Sequence, residues 1–98
     1  MKVLAKKPGA PWYEREIDNR LGSLQAFVQG YIETVTLFSD AVVICNEDGR
    51  IRNMPHNTTI CGVEFVGPIL LVGKKGDEFC DCPVPLEAAN KYLVEERK

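Results

Sequence analysis

The chain has 98 residues, of which 45% are hydrophobic and 27% charged, and this predicts one compact globular domain over residues 1–98 with a modest core. Its formal net charge of -2 provides no overall positive field to hold phosphates, so general nucleic-acid binding is not expected. The amino-terminal residues lack the apolar run of a signal peptide, and no later run is long enough to span a membrane, so we expect a cytoplasmic protein with reduced cysteines.

The first 30 residues predict a β-hairpin followed by a helix. KVLAK indicates a strand, PGAP a turn, and WYEREI a second strand with alternating side chains. Apolar residues then recur at the three- and four-residue spacing of one helical face. These residues are Leu21, Leu24, Phe27 and Val28. Asp18 or Asn19 is expected to cap the helix, and Gly30 suits a left-handed residue at its end.

Two strands and a turn are predicted next. YIETVTL is rich in β-branched residues, whereas AVVIC is apolar on both faces and should be a central strand covered by a helix on at least one side. FSD is the short hairpin connection between them. The dipeptide Asp48-Gly49 predicts a turn, after which Arg50–Arg52 would begin a short return strand.

The last 46 residues add a loop, more strand and a second helix. Pro55 indicates that residues 53–59 form a loop. CGVEFVGPILLVG is strand-like, and Gly67-Pro68 implies a bulge, a kink or a division into two strands. VPLEAANKYLVEERK predicts a helix with Pro85 near its start. The whole pattern predicts an α+β fold, a mainly antiparallel sheet of about five to six strands with two helices packed on it.

The four cysteines do not follow the spacing of a structural zinc site. Cys80 and Cys82 are separated by one residue, which is shorter than a zinc knuckle or a redox motif needs. Cys45 ends an apolar strand, where cysteine is usually a small buried hydrophobic residue. We therefore predict no metal site and no cofactor.

His56 is the single histidine of the chain and a candidate general base. It could act with Cys61 or Glu47 in a small enzyme, but no neighbouring carboxylate in the sequence orients it. We therefore predict no catalytic residue. Arg50 and Arg52 would share one face of the return strand and, with Arg15, form a small basic patch for an anion or nucleotide.

Several short motifs follow one another in a fixed order between residues 15 and 75. They are an Ile-Asp at 17–18, LQ at 24–25, GYIE at 30–33, CNEDGR at 45–50, Pro55 with Asn57, and GPILLVG at 67–73. This set resembles the domain of unknown function 3846 family. The resemblance implies a small accessory protein of bacteria, plasmids or phages, and it implies no activity or catalytic residue. Thr58 stands where the family often has arginine, which weakens an anion-holding role for this loop.

The sequence favours a non-enzymatic binding or interaction protein that forms a homo-oligomer through sheet edges in YIETV and VEFVG. Its expected partners are a second copy, a host protein or a small nucleotide. A nucleotide-sequestering counter-defence protein is the alternative, and a small enzyme using His56 is the weaker one. The predicted binding residues are Tyr31, Asn46, Glu47, Arg50, Arg52, His56 and Asn57.

Overall fold

The computed structural model describes residues 1–38 and 40–95, which form eight strands and two helices. The strands are β1 (Lys2–Lys6), β2 (Tyr13–Glu16), β3 (Ile32–Phe38), β4 (Ala41–Asn46), β5 (His56–Ile60), β6 (Val63–Val66), β7 (Ile69–Lys75) and β8 (Glu78–Cys80). The helices are α1 (Leu21–Val28) and α2 (Leu86–Tyr92). The predicted α+β fold is confirmed. Neither helix has the length and apolar character that crossing a membrane requires.

Six of these strands form one antiparallel sheet, in the order β2-β1-β7-β4-β3 with β8 paired to the second half of β7. Strands β5 and β6 form a separate two-stranded antiparallel hairpin. β4 is buried along its whole length between β7 and β3, which confirms the prediction of a central strand. β3 is an edge of the large sheet, since its only partner among the described strands is β4.

Both faces of the large sheet are covered, which is why β4 and β7 carry apolar residues without alternation. On one face, α1 packs Leu24 and Val28 against the sheet. On the other face, the β5–β6 hairpin contributes Ile60 and Phe65, and α2 contributes Ala89. The structure therefore has a helix on one side and a hairpin with a helix on the other.

The amino-terminal hairpin is confirmed, with Lys2 opposite Glu16 and Ala5 opposite Tyr13. Trp12 precedes β2 and is buried, and its indole Nε1 donates to the carbonyl of Leu93 at 2.9 Å. This bond satisfies the only polar atom of a large apolar side chain and holds the chain after α2 against the sheet.

The predicted ends of α1 were wrong. The residue before the helix is Arg20, and neither Asp18 nor Asn19 caps it with a side chain, because Asn19 Nδ2 instead donates to Phe79 O at 2.8 Å. The left-handed residue at its end is Gln29, with φ of 67°, rather than Gly30. The apolar stripe is also narrower than predicted, since Leu21 is exposed.

The return strand predicted at Arg50–Arg52 was also wrong, because residues 47–53 form a compact turn. Asn46 Oδ1 accepts the backbone N–H of Asp48 at 2.8 Å and starts this turn. Two backbone hydrogen bonds complete the turn. The N–H of Arg52 donates to Asp48 O at 2.9 Å, and the N–H of Asn53 donates to Arg50 O at 3.1 Å. The positive φ lies at Asn53, at 55°, rather than in the Asp48-Gly49 pair.

The loop predicted over residues 53–59 was wrong in its second half, where β5 begins at His56. Pro55 can precede β5 without costing a hydrogen bond of the sheet, since its missing N–H lies outside the β5–β6 ladder. The β-branched Thr58, Thr59 and Ile60 then pair with β6.

Gly67-Pro68 divides the predicted strand into β6 and β7, which belong to different sheets. Gly67 has φ of 70°, and a Cβ there would lie 2.8 Å from Met54 Cε. The positive φ favours glycine at this crossing, while the contact with the end of the Met54 side chain could be relieved by a movement of that side chain. The second predicted helix begins after Pro85, as expected, and ends at Tyr92. Its predicted extension to residue 98 was too long, and residues 96–98 lie outside the described residues.

Candidate functional site

The β5–β6 hairpin places His56 between two carboxylates that sequence reasoning missed. His56 Nδ1 lies 2.6 Å from Glu64 Oε2, and His56 Nε2 contacts Glu95 Oε1. Glu64 comes from the paired strand β6, and Glu95 comes from the segment after α2. No sequence pattern marks Glu95, because it is brought to His56 only by the packing of α2 on the sheet.

The hydrogen bond to Glu64 and, next in size, the hydrogen bond to Glu95 raise the pKa of His56 above its ordinary value of 6.5. The same bond to His56 lowers the pKa of Glu95. Both ring nitrogens are occupied by protein acceptors, so neither is free to take a proton from a substrate. Cys61 lies at the opposite end of β5, in the hairpin turn, and is exposed. His56, Glu64 and Glu95 therefore link β5, β6 and the chain after α2, and we call these three residues the His56 clamp. This geometry supports a structural role for His56 rather than the catalytic pairs considered for it from the sequence.

This clamp makes stability depend on pH with a defined sign. A histidine whose folded pKa is raised stabilises the fold fully below its ordinary value of 6.5, and the stabilisation is lost as the pH rises through the folded value. We expect the melting temperature of the wild type to fall more steeply than that of His56→Gln between about pH 6 and pH 8. Thermal denaturation at stepped pH measures both slopes, and equal slopes would rule out the clamp.

Asn57 is buried and joins three parts of the chain. Its Nδ2 donates to Lys6 O at 2.9 Å and to Gly67 O at 2.8 Å, while its Oδ1 accepts from Lys6 Nζ at 2.9 Å. These bonds connect the end of β1, the start of β5 and the crossing between β6 and β7. Asn57 is therefore committed to structure and has no side-chain atom free for a partner.

Asn46 has a comparable structural role at the end of α1. It is buried, its Nδ2 donates to Val28 O at 3.0 Å, and its Oδ1 starts the 47–53 turn. Gly30 permits this approach, because a Cβ at residue 30 would lie 2.7 Å from Asn46 Nδ2. The amide thus satisfies a carbonyl that the helix end would leave unpaired.

The three arginines of the predicted basic patch have separate protein partners. Arg50 Nη2 donates to Glu64 O at 3.1 Å, and Arg52 Nη1 donates to Gln29 O at 2.6 Å. Arg15 lies over the ring of Phe27, with Cζ 5.1 Å from its centroid. The shared strand face on which the patch depended does not exist, since Arg50 and Arg52 lie in the turn.

The remaining predicted binding residues are Tyr31 and Glu47, which lie side by side where β3 begins. Tyr31 is 68% exposed, and the backbone N–H of Glu47 donates to Tyr31 O at 2.8 Å. A cleft of about 340 Å³ opens next to them between the sheet and β6, and its walls include Asn46, Glu47 and Arg50. The structure therefore gathers part of the predicted surface beside the β3 edge. We call this opening the β3 cleft.

All four cysteines are free thiols. The pKa of Cys45 is raised to about 11, mainly by burial and to a smaller extent by the nearby Glu33 carboxylate. Burial also raises the pKa of Cys82. Such thiols are poor nucleophiles at neutral pH. Across residues 1–38 and 40–95, no three His, Cys, Asp or Glu side chains are grouped to hold a metal ion.

Comparison with curated proteins and with solved structures found no match. A family model does match, and it covers residues 1–94. This includes all ten described elements, from β1 to α2, and every residue of the His56 clamp except Glu95. The chain therefore belongs to the family described as Domain of unknown function (DUF3846).

Proposed function

We propose that this protein is a non-enzymatic interaction protein that self-associates by pairing the free edge of β3 with β3 of a second copy. The single observation that carries the proposal is the seven-residue β3 at the edge of the large sheet, with β4 as its only partner among the described strands. An edge of this length presents a row of backbone donors and acceptors for another strand.

The hydrogen-bonding pattern between β3 and β4 shows which backbone groups of β3 remain free to pair with another strand. Glu47 N donates to Tyr31 O, so Tyr31 and Glu47 form a hydrogen-bonded pair at one end of the β3–β4 ladder. Pairs alternate along an antiparallel ladder, so the N–H and C=O groups of Ile32, Thr34 and Thr36 point away from β4. This alternating pattern continues without interruption over the five residues 32–36, and the register then shifts between Thr36 and Phe38.

The side chains of β3 also permit pairing. Natural edge strands are usually protected by lysine, proline or inward-pointing charge, and β3 contains Glu33 as its only charged residue. In an antiparallel pair centred on Thr34, Glu33 would lie opposite Val35 of the other copy, so the two carboxylates would not face each other. The exposed Tyr31 and Phe38 flank this edge and would contribute apolar contact area.

The resemblance stated in the sequence analysis implies an accessory protein of bacteria, plasmids or phages, and we include that setting in the proposal. Glu33 and Val35 of β3 also line the β3 cleft, so a strand paired with this edge would lie beside that cleft. A host protein that contributes such a strand is the alternative partner of the same edge.

The test is a proline at an outward-facing position of β3. Thr34→Pro removes an N–H that β4 does not use, so the monomer should keep its fold while strand pairing between copies is blocked. Multi-angle light scattering is expected to show a dimer for the wild type and a monomer for Thr34→Pro. Circular dichroism should be the same for both.

Thr34→Val is the matched control, because it keeps the N–H and the β-branched shape and should remain dimeric. A wild type that is monomeric at all concentrations, or a Thr34→Pro variant that remains a folded dimer, would contradict pairing through β3.

A further inference from the structure

Lys6 occupies a position that faces the interior of the protein. Leu4 and Lys6 lie on the same face of β1, and Leu4 belongs to the core beneath the β5–β6 hairpin. Lys6 is only 6% exposed. Its Nζ donates to Asn57 Oδ1 at 2.9 Å and to Asn57 O at 3.5 Å, and both acceptors are uncharged amide oxygens.

A buried ammonium is normally compensated by a carboxylate. Within residues 1–38 and 40–95, Lys6 forms no ion pair at 4.0 Å or less. Burial lowers the pKa of Lys6, and the more distant charge of Glu95 opposes that shift. The ammonium has three N–H donors, so at least one of them has no acceptor among these residues.

Thr58 supplies a second polar group without a partner. Its side chain is 2% exposed, and its Oγ1 has no hydrogen-bond partner among the described residues. Buried hydroxyls are almost always paired, so an unpaired one requires an explanation. Thr58 follows directly after Asn57, the residue that holds Lys6 Nζ.

Lys6 and Thr58 line the same cleft of about 520 Å³, which we call the Lys6 cleft. This volume lies within the range of small-molecule sites. Ala10, Pro11 and Val94 contribute apolar surface to its walls, and Glu95 contributes a carboxylate. A ligand oxygen that accepted from both the ammonium and the hydroxyl would satisfy both groups.

We propose that the Lys6 cleft binds the carboxylate of a small organic acid, with the Lys6 ammonium and the Thr58 hydroxyl as the donors and the apolar walls around its alkyl part. The apolar walls contact the alkyl part of such an acid and offer nothing to inorganic phosphate, so a carboxylate with an alkyl part binds better than phosphate, while the Glu95 carboxylate in the same cleft repels either anion. The site is separate from the β3 edge, so its test is independent of self-association.

The test is a titration of the ¹⁵N-labelled protein with acetate, butyrate and inorganic phosphate, followed by amide chemical shifts. Shifts are expected to concentrate at Lys6, Ala10 and Thr58. Butyrate should bind at least about threefold more tightly than acetate, because its two additional methylenes contact the apolar walls. Phosphate should bind more weakly than either carboxylate.

Two variants separate specific binding from general anion effects. Lys6→Met keeps the apolar stem without the charge, and Thr58→Val replaces the hydroxyl with a methyl group of similar size. Each is expected to weaken butyrate binding about tenfold or more, since a hydrogen bond to a charged group is lost. Lys7→Met makes the same charge change at an exposed neighbour and should leave the affinity unchanged.

The amide spectra also show whether each variant is folded, and Lys6→Met should fold because it replaces a buried charge with an apolar side chain. Three results would overturn the proposal. They are the absence of localised shifts with butyrate, equal affinity in the wild type and the folded variants, and tighter binding of phosphate than of butyrate.

Discussion

Asn57→Ala is expected to lower the free energy of unfolding by about 3 kcal/mol or more, because it leaves a buried ammonium with only the backbone acceptor at 3.5 Å and two buried carbonyls without their donor. Asn57 supplies both the acceptor for Lys6 Nζ and the donors for Lys6 O and Gly67 O. Alanine supplies none of these groups, and its smaller side chain leaves a space at the junction of the two sheets. Urea denaturation followed by fluorescence of Trp12 measures the change.

The matched control is Asn19→Ala, which removes one exposed hydrogen bond to Phe79 O and should cost less than about 1 kcal/mol. Adding Lys6→Met to Asn57→Ala tests the mechanism, since removing the buried charge removes the largest unpaired group. The double-mutant cycle should therefore show a coupling of at least about 1 kcal/mol. Equal losses for Asn57→Ala and Asn19→Ala would show that the Asn57 bonds contribute little.

Gly73→Ala is expected to destabilise the protein by about 2 kcal/mol or more through overpacking at the middle of the large sheet. A Cβ at residue 73 would overlap with Asp81 O and lie 2.8 Å from Cys80 Sγ. The backbone at Asp81 cannot easily retreat, since Lys2 N donates to Asp81 Oδ1 at 2.8 Å and Cys82 N donates to Lys2 O at 2.8 Å. Thermal and urea unfolding measure the loss.

The same substitution at Gly22 is the control and should have the opposite sign. Gly22 lies within α1, and a Cβ there would meet no atom within 4 Å beyond the backbone of its own helix and its chain neighbours. Alanine has a higher helix propensity than glycine, so Gly22→Ala should stabilise the protein by up to about 1 kcal/mol. A Gly73→Ala protein as stable as the wild type would show that the segment after β8 can move away.

The pattern of apolar residues was sufficient to predict most elements. The alternation in WYEREI predicted the pairing of β1 with β2, and the apolar run AVVIC predicted a central strand covered by a helix on at least one side. Each prediction depends on a period of two or 3.6 residues, which the backbone geometry imposes wherever one face is buried. The same pattern in β1 places Lys6 beside Leu4 on the inner face, so this signal for the Lys6 cleft was present in the sequence.

Two of the errors occurred where side-chain bonds compete with intrinsic preference. Asn19 was expected to cap α1, yet its amide bonds to Phe79 O, 60 residues away in the chain. Arg50–Arg52 was expected to form a strand, yet the Asn46 side chain starts a turn that its neighbours complete. In each case the competing bond depends on where a distant or neighbouring element lies, which local propensity does not include.

By itself the sequence determined the class of the fold, the family and most of the strands and helices, because these depend on residue patterns that are local in the chain. Only the tertiary structure decided the candidate sites. His56 meets Glu95 across 39 residues, and Lys6 meets Asn57 across 51. Such pairs depend on strand register and on how α2 and the β5–β6 hairpin pack on the sheet, and a one-residue change in register would turn each side chain to the opposite face.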